Sequence, residues 1–152
     1  RAVLLPAPFV TDTPGACETV MQQRLVSEAL SVARGASHAL MAVGECREGA
    51  DLFESGIFSD AQCEELRAAD VVGDCCGVFF KADGSVADIA LNHCTPCLNP
   101  HELKGAEAVI LASGERKHAA TLAVLRAGFV TRLLVDEELA QLLLASVEGD
   151  HH

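Results

Sequence analysis

Three groups of residues carry side chains able to do chemistry at meaningful spacings. The first is Ser113–Gly114 followed by Lys117, with Asp136–Glu137 further along the chain. A glycine turn leading into a helix leaves backbone N–H groups unpaired, and a lysine beside them completes an anion cradle. The second is Gly44–Glu45 and Asp74, carboxylates next to glycines, suited to holding hydroxyl groups. The third is His93, Cys94, Cys97 and His101, a possible zinc set, or a CxxC redox pair, or free thiols. All four would come from one tight loop, whereas structural zinc sites usually join two separated pairs. The expectation is free thiols with no metal, no catalytic residue and no cofactor.

The elements that must position these residues follow from the apolar pattern. Ala108–Ala112 is a continuous apolar run suited to a buried strand, and Ser113–Gly114 is the turn after it. Glu115–Ala127 has helical spacing and stops at Gly128. Phe129–Val135 reads as a second buried strand. Asp136 then caps a helix reaching about Ala145, with Glu137 and Glu138 in its first turn. Two parallel strands joined by a helix make a crossover unit, and in open sheets of this kind ligands bind beyond the carboxyl ends of the strands. Ser113, Gly114, Asp136 and Glu137 sit at such ends. Asp136 has two readings, a contact to sugar hydroxyls or a helix cap. Asp74 also has two: it lines the same cleft or it stabilises a hairpin.

The rest of the chain supplies further elements. Ala2–Leu5 reads as a short strand ended by Pro6-Ala7-Pro8. Pro14 near a first helical position opens a helical stretch, with Met21, Leu25, Ala29 and Val32 on one face, widened by Val26 and Leu30. Gln22–Arg24 is a candidate break. His38–Val43 is a strand ending at Gly44–Glu45, and residues 46–58 read as a loop over its end. Ser59 with Gln62 is a capping-box pair opening a helix to about Ala69. Asp70–Phe80 and Val86–Leu91 are expected to form a hairpin around Asp83–Gly84, with Cys75 and Cys76 on the two faces of its first strand. Asn92–Lys104, with two prolines, reads as loop. The fold class expected is α/β: strands near 2–5, 38–43, 108–112 and 129–135 in a parallel sheet flanked by helices, with the hairpin as an appendage.

Composition bounds the function. The chain has 152 residues, half of them apolar, enough for one domain with a sizeable core. A formal net charge of −11 argues against nucleic acid or an anionic membrane as a direct partner of this stretch. Seven unevenly spaced cysteines in an aliphatic α/β chain favour reduced thiols and a cytoplasmic setting over a disulfide framework. The chain begins at Arg1 and enters the first apolar run at once, which suggests a piece of something longer.

Linked motifs carry a family resemblance. LLPAP (4–8), AVGE (42–45), GDCCGVFFKADG (73–84), LN (91–92), ILASGERK (110–117) and LLVDEELAQLLL (133–144) stand in the order and spacing of the sugar-binding domain of SorC-type bacterial transcription regulators. The chain resembles the C-terminal part of that domain. The resemblance implies a fold like phosphosugar isomerases and deaminases, with a Rossmann-like sheet. It also implies a small phosphorylated sugar or polyol as effector, assembly into homo-oligomers, and DNA binding by an N-terminal helix-turn-helix outside this sequence. The implied ligand positions are Gly44, Glu45, Asp74, Ser113, Gly114, Lys117, Asp136 and Glu137. Ser113 replaces one of a usual pair of glycines, Val78 and Cys94 stand where arginines are common, Cys97 where a glycine is usual, and Val135 where a threonine is usual. Lost arginines are lost phosphate partners. The alternatives are an isomerase- or deaminase-like enzyme of the same fold, using Lys117, Asp136 and Glu137, or a truncated domain serving only for dimerisation.

Overall fold

The computed structural model describes residues 2–149. Its helices begin where short-range signals place them. The Thr13 side chain accepts from the Ala16 N–H and Pro14 takes the first position of α1 (Pro14–Met21). Gln22 and Gln23 separate it from α2 (Arg24–Arg34). After β1 (His38–Glu45) comes a loop that contains one short helix, α3 (Asp51–Glu54). Ser59 and Gln62 form a complete capping box at the head of α4 (Asp60–Ala68). Two strands follow, β2 (Val71–Cys75) and β3 (Val78–Lys81). The stretch from 82 to 106 is loop with two short 3-10 turns, Ala90–His93 and Pro100–Glu102. The chain ends in β4 (Glu107–Ala112), α5 (His118–Arg126), β5 (Arg132–Val135) and α6 (Glu137–Gly149).

The five strands make one mixed sheet in the order β3-β2-β1-β4-β5. β1, β4 and β5 run parallel, with Met41 opposite Ile110 and Leu111 opposite Leu134. The parallel arrangement expected for the crossover unit is present. One face of the sheet is packed. Met41, Val43, Cys75 and Ile110 meet Ala120, Ala123 and Val124 of α5 in the main core, and Ala112 meets Leu139 and Leu143 of α6. At the β2–β3 end the opposite face is also covered: Phe79 joins Leu66 of α4 and Leu91 in a second core cluster. Along β1, β4 and β5 that opposite face is bare. Leu40 is 71 %, Leu111 50 % and Leu134 54 % exposed.

Several expectations need correction. Ala2–Leu5 forms no strand, and Leu4 is 84 % exposed. An apolar run becomes a strand only beside a ladder partner, and the edges of this sheet are β3 and β5. Asp70–Phe80 is not one strand but a whole hairpin, turning at Cys76 and Gly77 with φ of 56° and 79°. Two adjacent left-handed residues are the turn that suits twisted strands. Cys76 therefore sits on the turn, not on a strand face. Asp83–Gly84 does turn, but the return is a single bridge between Phe80 and Val86. The hairpin is no appendage: β2 pairs antiparallel with β1 and extends the main sheet. In the crossover, Glu115–Lys117 is a 3-10 turn before α5, and the strand expected from Phe129 begins only at Arg132. Phe129 and Val130 pack against the core from the loop. On α2, Val26, Ala29 and Leu30 are buried, whereas Leu25 and Val32 face solvent, so the buried stripe lies to one side of the expected one.

β2 and α5 approach each other closely in the core. A Cβ on Gly73 would lie 2.4 Å from the Ala120 Cβ and 2.7 Å from the Gly44 carbonyl oxygen. Gly73→Ala is therefore expected to cost about 1–3 kcal/mol, as overpacking does, and the urea midpoint of the variant against wild type measures it.

Candidate functional site

The carboxyl ends of the parallel strands gather the candidate residues into two adjoining groups. The first is built on Asp136. Its Oδ2 accepts from the Ser113 hydroxyl at 2.7 Å and from the Gly114 N–H at 2.6 Å, and its Oδ1 accepts from the Leu139 N–H at 2.8 Å. One carboxylate thus caps α6 and ties the end of β4 to the end of β5. The Leu139 N–H, followed by the Ser113 hydroxyl and the Gly114 N–H, holds its carboxyl below the usual range. Both oxygens are engaged, so Asp136 acts here as a clamp. Gly114 takes a φ of 88°, which lets the chain turn from β4 into the 3-10 segment. Glu137 is exposed, and its carboxylate accepts from Gln141 at 3.3 Å within α6.

The second group is built on Lys117. The Lys117 N–H donates to the Gly114 carbonyl at 3.0 Å, which closes the turn at the head of α5. Its ammonium reaches across to the end of β1 and donates to the Val43 carbonyl. Asp74 is on the neighbouring strand, opposite Gly44 in the ladder. The Asp74 carboxyl is buried and accepts from the Gly77 N–H at 3.1 Å. Burial pushes its pKa up, while the Gly77 N–H and the Lys117 charge act the other way. A Cβ at Gly44 would lie 1.9 Å from Asp74 Oδ1, so only glycine fits beside this carboxylate. Asp74 thus braces the hairpin turn, and it stands at the strand ends on the strand next to β1.

Glu45 is half-buried and paired with Arg47 at 2.7 Å. Arg47 was missed by sequence reasoning. The available signal was a cation just past a strand end, in a loop otherwise acidic. The rival set of His93, Cys94, Cys97 and His101 is dispersed. Cys94 is buried in the second core cluster, Cys97 faces Thr95, and the His101 ring stands edge-on to Phe129 at 5.2 Å.

A mixed α/β sheet with glycine turns, a lysine and a buried carboxylate at its strand ends is the architecture of a small-ligand binding domain. Residues 1–145 match the family model of the sugar-binding domain, and the chain belongs to that family. The homologues are DeoR/SorC-type transcription regulators. The deoxyribonucleoside regulator of Bacillus subtilis is 29 % identical over 141 residues, 92 % of this chain and 45 % of the relative. The solved sugar-binding domain of a Vibrio fischeri transcriptional repressor is 30 % identical with a TM-score of 0.85, over 95 % of this chain and 58 % of that one. The full-length sorbitol operon regulator of Klebsiella pneumoniae is 26 % identical with a TM-score of 0.80, over 90 % of this chain and 45 % of that one. The chain thus spans about half the length of the relatives it matches.

The Asp74 environment sets a pH dependence. A carboxyl whose folded pKa is raised lends stability below its unfolded value and loses it as pH rises through the folded value. Stability is expected to fall across that window in wild type and to stay flatter in Asp74→Asn, which keeps an acceptor for Gly77. Urea unfolding of both proteins over a pH series measures the difference. Lys117→Met should move the Asp74 titration further up, read by carboxyl carbon shifts.

Proposed function

We propose that this chain is the effector-sensing and assembly part of a SorC-like transcription regulator, and that its effector is a small phosphorylated sugar or polyol. The observation that carries the reading is the position of the Lys117 ammonium between the head of α5 and the end of β1, beside Asp74. The ammonium gives one N–H to Val43 and has others for an anion, and the carboxylate suits sugar hydroxyls. Gly44, Glu45, Ser113, Gly114, Asp136 and Glu137 shape the surrounding strand ends, with Asp136 holding the turn rather than the ligand. The reading is of a binding site without a catalytic group, a metal or a cofactor. DNA contact belongs to a helix-turn-helix outside this sequence, as the net charge of −11 suits a sensor better than a DNA-binding surface. The setting is the cytoplasm. No helix among the described residues is long and apolar enough to cross a membrane.

With valine at 78 and cysteine at 94 in place of arginines, the affinity for sugar phosphates is expected to be weak, on the order of millimolar, or about −4 kcal/mol. Lys117→Ala should weaken it further, since one charge-assisted hydrogen bond contributes roughly 1.5–3 kcal/mol. Titration of both proteins with a series of sugar phosphates, followed by amide shifts, tests this. Equal binding by the variant, or shifts clustered at residues 94–101, would remove Lys117 from the site.

Self-association is part of the same reading. Leu40, Leu111 and Leu134 form an apolar strip across three parallel strands, and parallel sheets are normally covered on both faces. At least a dimer is expected at micromolar concentration by light scattering, and Leu111→Glu, which charges the centre of the strip, should shift it to monomer.

A further inference from the structure

We propose that Cys76 and Cys97 form a reversible disulfide that clips the β2–β3 turn to the loop of residues 94–99. Thiols converge at this end of the molecule from separate elements. Cys76 is exposed at the tip of the turn, at a φ of 56° that a non-glycine residue seldom adopts. Cys97 is half-buried on the loop that lies against that turn. The Thr95 hydroxyl donates to the Gly77 carbonyl at 2.8 Å, holding the loop in place. A Cβ built on Gly77, the residue after Cys76, would lie 3.7 Å from the Cys97 Cβ, so the loop packs directly on the turn. Cys76 and Cys97 also line the same two grooves, one with Phe9 and Pro96, the other with Met41 and Leu103.

The two thiols differ in the way the chemistry requires. The neighbouring Cys75 thiol holds Cys76 below its ordinary value, against burial and the charge of Asp74. Burial pushes Cys97 up to about 11. Cys76, exposed at the turn, is the thiol that attacks first, and half-buried Cys97 is the thiol that resolves. The oxidant is a small-molecule disulfide. The Cys76 thiolate attacks one of its sulfurs, forming a mixed disulfide and expelling one thiolate. Cys97 loses its proton and attacks the Cys76 sulfur, forming the Cys76–Cys97 bond and expelling the second thiolate. Two protein thiols are oxidised by two electrons and one small disulfide is reduced to two thiols. Cys94, the partner that the CxxC spacing would suggest, is buried in the other core cluster and takes no part.

The clip acts on the turn that Asp74 braces through Gly77. Oxidation should therefore change the setting of the Asp74 carboxyl, and this consequence for ligand binding rests on the proposed function, whereas the disulfide does not.

The test uses the full chain incubated with oxidised glutathione, then alkylated, digested and mapped by mass spectrometry. The expected product is a Cys76–Cys97 linked peptide that dithiothreitol removes. In Cys97→Ser, Cys76 should accumulate as the glutathione adduct, and in Cys76→Ser, Cys97 should remain alkylatable. A Cys75–Cys76 link, a Cys17–Cys97 link, or full alkylation of both thiols in the wild type would overturn the proposal, and needs no variant to be read. An Asp74 titration unchanged between the oxidised and reduced chains, followed by carboxyl carbon shifts, would overturn the coupling to the site.

Discussion

The buried carboxylate of Asp74 ties together β1, the β2–β3 turn and the head of α5. A charge out of water is costly unless hydrogen bonds and an opposite charge meet it. Here the Gly77 N–H bonds it and the charge of Lys117 acts on it. Each fixes something else. The bond to Gly77 fits the tight turn at Cys76 and Gly77, which sets the register of β3. The attraction of Lys117 favours the side chain that joins the head of α5 to the end of β1. The carboxylate also leaves no room for a side chain at Gly44. A run of glycines and one acid thus reads as a single packing solution, with the ladder pair of Gly44 and Asp74 at its centre.

What was legible in the sequence was what short-range chemistry determines. Thr11–Pro14, Ser59 with Gln62, and Asp136 each mark a helix start through bonds made within a few residues, and each helix begins there. The apolar runs at 38–43 and 108–112 became strands because each had a partner at its side. Ala2–Leu5 has the same local character and no partner. The hairpin was misread for a related reason. Asp83–Gly84 is a good turn pair, but Cys76–Gly77 turns first, and a non-glycine residue at positive φ carries little signal in its residue type. Of the site, the strand-end positions were legible from topology. The destination of the Lys117 side chain was not, because Val43 is far from it in sequence.

Asp136 is engaged on both oxygens. A carboxylate with three donors already on its two oxygens has little capacity left for a ligand hydroxyl. Its contribution is to hold the Ser113–Gly114 turn against the start of α6, which preorganises the backbone that leads to Lys117. Asp74 is the opposite case: one hydrogen bond, a raised pKa and a cation nearby leave acceptor capacity next to a charge. At the strand ends, one acid thus takes three donors and the other takes one.

Asp74 also lies beside the uncovered part of the sheet. Leu40, Ala42 and Gly44 alternate onto one face of β1, and Gly44 meets Asp74 there. The apolar strip of Leu40, Leu111 and Leu134 therefore lies on the same face of the sheet as the carboxylate. Anything that covers the strip removes water from the same side, and a drier surrounding raises the cost of the charged carboxylate while strengthening its attraction to Lys117. A ligand anion near Lys117 weakens that attraction, and so changes the preferred protonation of a group at the margin of the covered face. Under the proposed function, assembly and ligand occupancy act on one titratable group from two sides, which is the minimum coupling a sensor domain requires.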